Sequence, residues 1–307
     1  MIVVCPNCFT RYKLTEEHTP ASQFQARCGR CGQIFTAYSP VQVEPIQFVD
    51  LEQARKARAD NTVIAVSNQK GGVAKTTTCL NLGLSLALHS KRVLLVDFDV
   101  QANLTISLGL TPAKSIYDLI AGKADDMDSL IRATKYEGLS LLPSSKNLVL
   151  LNKRFFGAPN FEFILKDRLA GLKEKFDYIL IDTPPSIELF TLNALTAAGM
   201  TIIPTQCDYL STHGIEQILK LIELVRSKTN PALEARVLIT MFDPQSTASR
   251  LISKKINRLY GDITFQTLIE MDHRIKEAQI MSMPVIHYNK HSKAGRQYLK
   301  LAKEIIH

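Results

Sequence analysis

The segment richest in chemistry is Val63-Ile64-Ala65-Val66-Ser67-Asn68-Gln69-Lys70-Gly71-Gly72-Val73-Ala74-Lys75-Thr76-Thr77-Thr78. A β-branched run enters a glycine-containing loop, and a helical pattern opens at the second lysine. Successive backbone N–H groups in such a loop converge on an anion, and the helix N-terminus adds positive potential. Gly71, Gly72, Val73, Ala74, Lys75, Thr76 and Thr77 therefore read as a phosphate cradle. Lys75 is placed to reach β- and γ-phosphates, and the Thr76 hydroxyl to bind Mg2+. The strict pattern Gly-x4-Gly-Lys-Ser/Thr is not met, because its glycine positions hold Gln69 and Ala74. A methyl group at position 74 restricts the loop.

Two further segments end in carboxylates. Val96-Asp97-Phe98-Asp99-Val100-Gln101-Ala102-Asn103 closes one apolar run, and Ile181-Asp182-Thr183-Pro184-Pro185 closes another. Ligands of open parallel sheets bind at the carboxyl ends of the strands. Mg2+ keeps several waters and needs only one or two carboxylates, and a carboxylate can also orient an attacking water. Any one of these aspartates is equally a helix cap or a turn residue. Three of them beside a phosphate loop point to a site.

Together these motifs resemble the deviant phosphate loop and strand ends of the ParA/MinD group of partition and positioning ATPases. The likeness rests on Lys70-Gly71-Gly72-x-x-Lys75-Thr76-Thr77, on Asp97-x-Asp99-Val100-Gln101-x-Asn103 and on Asp182-Thr183-Pro184-Pro185. It continues through Pro204-Thr205-Gln206-Cys207-Asp208, Leu238-Ile239-Thr240 and Arg274-Ile275-x-Glu277-Ala278 to the last helix, covering 61–307. Val100 replaces a proline, Ala74 a glycine, and Ile269-Glu270-Met271 an Ile-Pro-Arg-like stretch, so no adenine contacts are assigned. The resemblance implies roles. Asp99 positions the hydrolytic water, Asp97 supports the strand end and metal shell, Asp182 binds Mg2+ through water, and Gln101 senses the γ-phosphate. Lys70 lies too early in the loop for the position of Lys75, and in the family this lysine crosses to the partner's nucleotide. Lys70, Lys75 and Asp99 are thus the expected catalytic set, and ATP is expected to drive a homodimer whose slow hydrolysis an adaptor or cargo protein stimulates.

Cys5-Pro6-Asn7-Cys8 and Cys28-Gly29-Arg30-Cys31 form two Cys-x-x-Cys pairs. Four thiolates in that arrangement read as a zinc site, with a redox dithiol pair or an iron centre as the rival. A module this short needs metal in place of a core. The segment also resembles bacterial zinc ribbons, through Cys5-Pro6-x-Cys8, Tyr12, Gly32 and Phe35. Its own task, nucleic-acid contact or protein docking, stays open. Cys79 and Cys207 read as apolar core residues.

These groups must be carried on elements. The runs 63–66, 93–96, 139–142, 178–181, 201–203 and 237–239 are continuous rather than alternating, as in strands covered on both faces. Helical patterns such as 76–89 and 215–228 lie between them. The expected fold is α/β, a doubly wound, mostly parallel sheet of phosphate-loop type preceded by a small zinc ribbon. The expected divisions are a ribbon at 1–38, a linker at 39–60 with a short helix at 51–59, and an ATPase domain at 61–307.

The chain has 307 residues, 46% hydrophobic and 21% charged, which excludes global disorder. No apolar run approaches the roughly 20 residues of a membrane span. The opening Met1-Ile2-Val3-Val4-Cys5 lacks the features of a secretory signal, so a cytoplasmic, nucleoid-associated location is expected. The net charge of +8 biases the surface toward anionic partners. From 250 to 307 there are eleven Lys/Arg and five Asp/Glu. Lys254, Lys255, Lys290, Lys293 and Arg296 are candidate contacts for non-specific DNA. The resemblance adds Arg274. A cationic amphipathic tail after the domain is missing, which disfavours membrane binding. Two other readings stand beside this one: a positioning ATPase for a membrane or polar machine, and a zinc-ribbon scaffold with a vestigial ATPase.

Overall fold

The computed structural model describes residues 2–5, 7–8, 10–13, 23–38, 63–124, 126–155, 158–186 and 189–307. The linker expected at 39–60, with its helix at 51–59, lies outside the described residues. The chain divides into two units, which are taken separately.

The small unit is two hairpins. Strand β1 (Ile2–Val4) pairs antiparallel with β2 (Arg11–Lys13), and β3 (Gln23–Arg27) with β4 (Ile34–Tyr38). Each connection carries one Cys-x-x-Cys pair, so hairpin geometry turns both pairs toward a common point. Gly32 has φ +73°, a left-handed conformation that glycine adopts without the Cβ clash.

The large unit runs β5 (Val63–Val66), α1 (Lys75–Ala87), β6 (Val93–Asp97), α2 (Asn103–Ser107), α3 (Ile116–Ile120), β7 (Arg132–Ala133), β8 (Leu139–Leu142), α4 (Val149–Phe155), α5 (Ile164–Leu169) and β9 (Tyr178–Asp182). It continues with α6 (Leu189–Ala197), β10 (Met200–Gln206), α7 (Ser211–Lys228), β11 (Glu234–Thr240), α8 (Thr247–Tyr260), α9 (Arg274–Ile280), α10 (Val285–Tyr288) and α11 (Lys293–Ile306). The sheet order is β11-β10-β5-β9-β6-β8-β7. All neighbours are parallel except β7, an antiparallel edge strand of two residues.

The continuous apolar runs are explained by burial on both faces. Val63, Ala65, Leu94 and Val96 enter one core with residues of α3–α8, while Ile64, Val66, Val93 and Leu95 enter the other with α1, α2 and α9–α11. Alternate side chains of one strand thus serve opposite layers. Helix α1 lies very close to β6: a Cβ on Gly83 would sit 2.6 Å from Leu95 Cδ2, so a side chain there would require Leu95 to move.

Register sets the site. Val66 at the end of β5 lies opposite Asp182 of β9, and Asp182 lies opposite Asp97 of β6. The loop after β5 and the carboxylates therefore share the carboxyl edge of the sheet.

Candidate nucleotide site and cysteine centre

The loop between β5 and α1 is tied down from four directions. Asn68 Nδ2 donates to the Pro204 carbonyl at 2.8 Å, and Asn68 Oδ1 accepts from the Lys70 amide at 3.0 Å. Gln206 Nε2 donates to the Gly72 carbonyl at 2.6 Å, and the Thr240 hydroxyl to the Val73 carbonyl at 3.1 Å. Gly72 and Ala74 both have positive φ, +74° and +69°. The alanine therefore stands in a conformation that suits glycine.

Lys75, the first residue of α1, is only 8% exposed. Its Nζ donates to the Lys70 carbonyl at 3.0 Å, bridging the loop. Burial lowers its pKa, and the charges of Asp182 and Asp99 oppose that shift. Lys70 turns elsewhere: its ammonium is ion-paired with Asp208, just past β10, and its side chain remains 32% exposed. Thr76 and Thr77 follow in the first turn of α1, where Thr77 Oγ1 accepts from Gln279 Nε2 at 3.1 Å.

The aspartates have three different environments. Asp97 is fully buried and accepts from the Thr105 amide at 2.8 Å and the Thr105 hydroxyl at 2.6 Å, fixing the start of α2 to the end of β6. Burial pushes it up to about 6. Asp99 accepts from the Gln101 amide at 3.0 Å, and its carbonyl takes the Ser144 hydroxyl at 2.7 Å. Gln101 itself is exposed. Asp182 is fully buried, and neither carboxylate oxygen has a hydrogen-bond partner. Burial holds its pKa well above the ordinary range, the Asp97 charge adds to that, and Thr76 at longer range pulls the other way. A buried carboxylate without partners is costly unless a cation joins it. The unpartnered, buried carboxylate of Asp182, with Thr76 and Lys75 near it, thus fits hydrated Mg2+ and an anionic phosphate.

In the small unit the four sulfurs of Cys5, Cys8, Cys28 and Cys31 all lie within 4.8 Å of one another. Cys5 and Cys31 are 3.6 Å apart, Cys8 and Cys28 3.5 Å. Four thiolates held tetrahedrally at the usual Zn–S distance stand about 3.8 Å apart, so the cluster fits zinc. The cysteines form no disulfide. The Tyr12 hydroxyl contacts Cys28 Sγ at 3.1 Å and accepts from the Arg30 amide at 3.2 Å. It is the main cause, ahead of the Cys31 and Arg30 amides, that brings the Cys28 thiol down to about 6.

The DNA candidates do not converge. Lys254 and Lys255 are exposed on α8, which is anchored by Ile256 in one core. Lys290 precedes α11 and Arg296 lies on it, a helix anchored by Leu301 in the other core. Lys293 is paired with Glu270 at 3.0 Å, and Arg274 stands 3.9 Å from Asp272. Cys79 is buried in the core, whereas Cys207 is only partly covered.

Asp208 has no assigned role in the sequence, although its segment carries part of the family resemblance. The available signal was position: like Asp99 and Asp182, it is a carboxylate just beyond the carboxyl end of a parallel strand. Asn68 and Thr240, which brace the loop, are ordinary polar residues with no spacing to mark them.

The strand order, the loop beyond β5 and the flanking carboxylates define a nucleoside triphosphatase of the phosphate-loop class. Residues 61–235 match the family described as an AAA domain, and residues 1–36 match a zinc-ribbon domain. The chain is 39% identical over 240 residues to the chromosome-partitioning ATPase Soj of Treponema pallidum, covering 78% of this chain and 94% of that one. It is 35% identical over 250 residues to the chromosome partitioning protein ParA of Caulobacter vibrioides, covering 80% and 93%. Among solved structures it is similar to cobyrinic acid a,c-diamide synthase from Mycobacterium smegmatis with bound ATP analog and magnesium. There the TM-score is 0.69 at 34% identity, over 80% of this chain and 94% of that one. The chain belongs to the Soj/ParA family of ATPases. No helix among the described residues is long and apolar enough to cross a membrane.

Proposed function

We propose that the chain is an ATP-driven dimerisation switch that hydrolyses ATP slowly, binds DNA without sequence preference and positions a chromosome, plasmid or protein cargo. A stimulating adaptor or cargo protein sets its turnover, and it works in the cytoplasm on the nucleoid. The ribbon occupies 1–38, a linker 39–60 and the ATPase domain 61–307.

Within a subunit, the amides of Gly71 to Thr77 and the Lys75 ammonium hold the ATP phosphates. Thr76 and Asp182 hold Mg2+, which neutralises phosphate charge when bound. Asp97 keeps the end of β6 in place. The Asp99 carboxylate, beside the loop, orients a water in line with the terminal phosphate, and Gln101 follows the presence of that phosphate. Lys70 leaves Asp208 to meet the phosphates of the partner's nucleotide, so that γ-phosphate supplies the contact that favours the dimer. Cys5, Cys8, Cys28 and Cys31 hold structural zinc. DNA phosphates are met by Arg274, Lys254, Lys255, Lys290, Lys293 and Arg296, with the strong salt dependence such contacts carry.

The observation that carries this reading is the division of labour between two lysines of one loop: Lys75 bridges its own loop at 3.0 Å, whereas Lys70 is half-exposed on Asp208. Light scattering with Mg-ATP tests it. Asp99→Ala should give a dimer that binds ATP without turnover, and Lys70→Ala a monomer that still binds ATP. A wild-type chain that stays monomeric with saturating Mg-ATP overturns the switch.

A further inference from the structure

At the end of the sheet away from the phosphate loop, two cavities of about 890 and about 520 Å3 share Leu88 and Leu299 and so form one groove. It runs from the residues preceding β6 and β8, past the C-terminal end of α1, along α11. Its floor is apolar, built by Leu84, Ala87, Leu88 and Leu299, and Leu88 is 58% exposed. Tyr136 closes one end, edge-to-face with His287 at 4.9 Å, and its hydroxyl is buried with no hydrogen-bond partner. The walls are cationic: seven Lys or Arg line the two cavities against a single carboxylate, Glu137, and five of them, Lys91, Arg92, Lys135, Lys300 and Lys303, are not among the proposed DNA contacts, whereas Lys290 and Arg296 are. Lys135, Lys300 and Lys303 are in no salt bridge among the described residues. On α11, positions 296, 300 and 303 fall on one helical face, so their charges form a stripe beside the leucines.

We propose that this groove is the docking site for an acidic amphipathic peptide segment of a partner protein. Charge complementarity selects carboxylates, since the walls hold unpaired ammonium groups whose field a run of Asp or Glu neutralises. The floor selects apolar anchors, because burying Leu88 and Leu299 under leucine or phenylalanine removes exposed hydrocarbon from water. An acidic helix laid in the groove meets both demands at once, apolar side chains down and carboxylates to the sides. Duplex DNA meets only one: its phosphates answer the charge but offer no hydrocarbon to cover the exposed leucines. The groove is remote from Lys75 and Asp182, so docking there is independent of the nucleotide reading.

The test is fluorescence anisotropy of a labelled acidic amphipathic helix of Glu and Leu against the full-length chain. Saturable binding is expected. Lys300→Glu with Lys303→Glu should weaken it about tenfold or more, and so should Leu88→Asp, while Mg-ATP binding stays unchanged. Lys135→Glu provides an independent check at the other end of the groove. A control peptide with Ser in place of Leu should bind at least about tenfold more weakly. No saturable binding, equal binding of the Ser peptide, or indifference of the peptide to all these variants overturns the proposal. Loss of duplex-DNA affinity in the same variants, with peptide affinity kept, overturns it in favour of a nucleic-acid surface.

Discussion

Lys70 of the phosphate loop is ion-paired with Asp208, 138 residues further along the chain and just past the end of β10. Burial alone would raise the Asp208 carboxyl, but Lys70 and the Ser211 hydroxyl hold it below the usual range. The pair is 32% and 40% exposed, so it is a latch of modest strength, worth at most about 1 kcal/mol. In the proposed switch, the lysine that reaches the second subunit is thus held in reserve by a contact weak enough to release.

Asp208→Asn removes that latch in both subunits of a dimer. With about 0.5–1 kcal/mol per subunit, the Mg-ATP dimer should form about 5- to 30-fold more readily. Analytical ultracentrifugation across a protein titration measures this. An unchanged or weaker dimer would mean that the pair does not compete with dimerisation.

The proposed role of Asp182 at Mg2+ makes metal binding depend on pH. A carboxyl with a raised pKa must lose its proton before it serves Mg2+, so metal binding releases a proton. Affinity for Mg-ATP should therefore rise as pH climbs beyond the ordinary carboxylate range. Asp182→Asn should weaken Mg2+ binding and flatten this dependence, while at alkaline pH the nucleotide-free variant is more stable than wild type, which must there bury a carboxylate charge. Calorimetry at several pH values checks both halves. A wild-type pH profile superimposable on that of the variant would contradict the assignment.

Asp97 carries a stability term of the same sign. Its folded pKa of about 6 exceeds the unfolded value near 3.8, so the folded state holds the proton more tightly. The associated stability is fully present below the unfolded value and is lost as pH rises toward 6. The shift corresponds to about 3 kcal/mol. Asp97→Asn does not titrate, so its urea-unfolding free energy should gain on wild type by up to that amount between pH 4 and 6. A constant difference across the window would show that Asp97 titrates normally.

Much of this architecture was legible in the sequence, and the reasons are physical. Runs such as Val93-Leu94-Leu95-Val96 signal strands covered on both faces, and all six such runs are strands of the parallel sheet. The loop residues were legible because two glycines, two lysines and three threonines crowd into nine positions, 70–78, directly after an apolar run. β7 was not, because a two-residue edge strand has no period to detect. The Lys70–Asp208 pair was hidden because sequence distance conceals which strand ends are neighbours. That β10 lies beside β5 is a property of strand order. The basic residues near the C-terminus were counted together, yet Lys254 and Arg296 sit on helices of opposite layers, which charge counting cannot separate.

Ala74 is the mildest departure in the loop and the easiest to probe. It opens α1 at φ 69° and ψ 33°, without a side-chain cap. A left-handed alanine costs about 1–2 kcal/mol, partly offset by the extra freedom that glycine would give the unfolded chain. Ala74→Gly should therefore leave stability unchanged or raise it by about 1 kcal/mol, and Ala74→Val, β-branched, should cost about 2 kcal/mol or more. Urea unfolding distinguishes them, and a variant series in the reverse order would rule out strain at this position.

The ribbon offers the sharpest contrast between the two units. Its hairpins are short, and among the residues whose burial is described only Cys5 and Cys28 are buried, so the cysteine cluster is the centre of the described packing. Metal then supplies most of its folding free energy. Chelation should release zinc, measurable with a metallochromic dye, and collapse the amide signals of β1 to β4 in a protein NMR spectrum. The thermal transition of the large unit should stay in place, because its two cores contain no cysteine of the cluster. Cys8→Ser or Cys28→Ser should reproduce the chelated spectrum without chelator. Ribbon signals that survive complete removal of metal would show that the hairpins fold on packing alone, and the four-thiolate site would then be incidental to the small unit's stability.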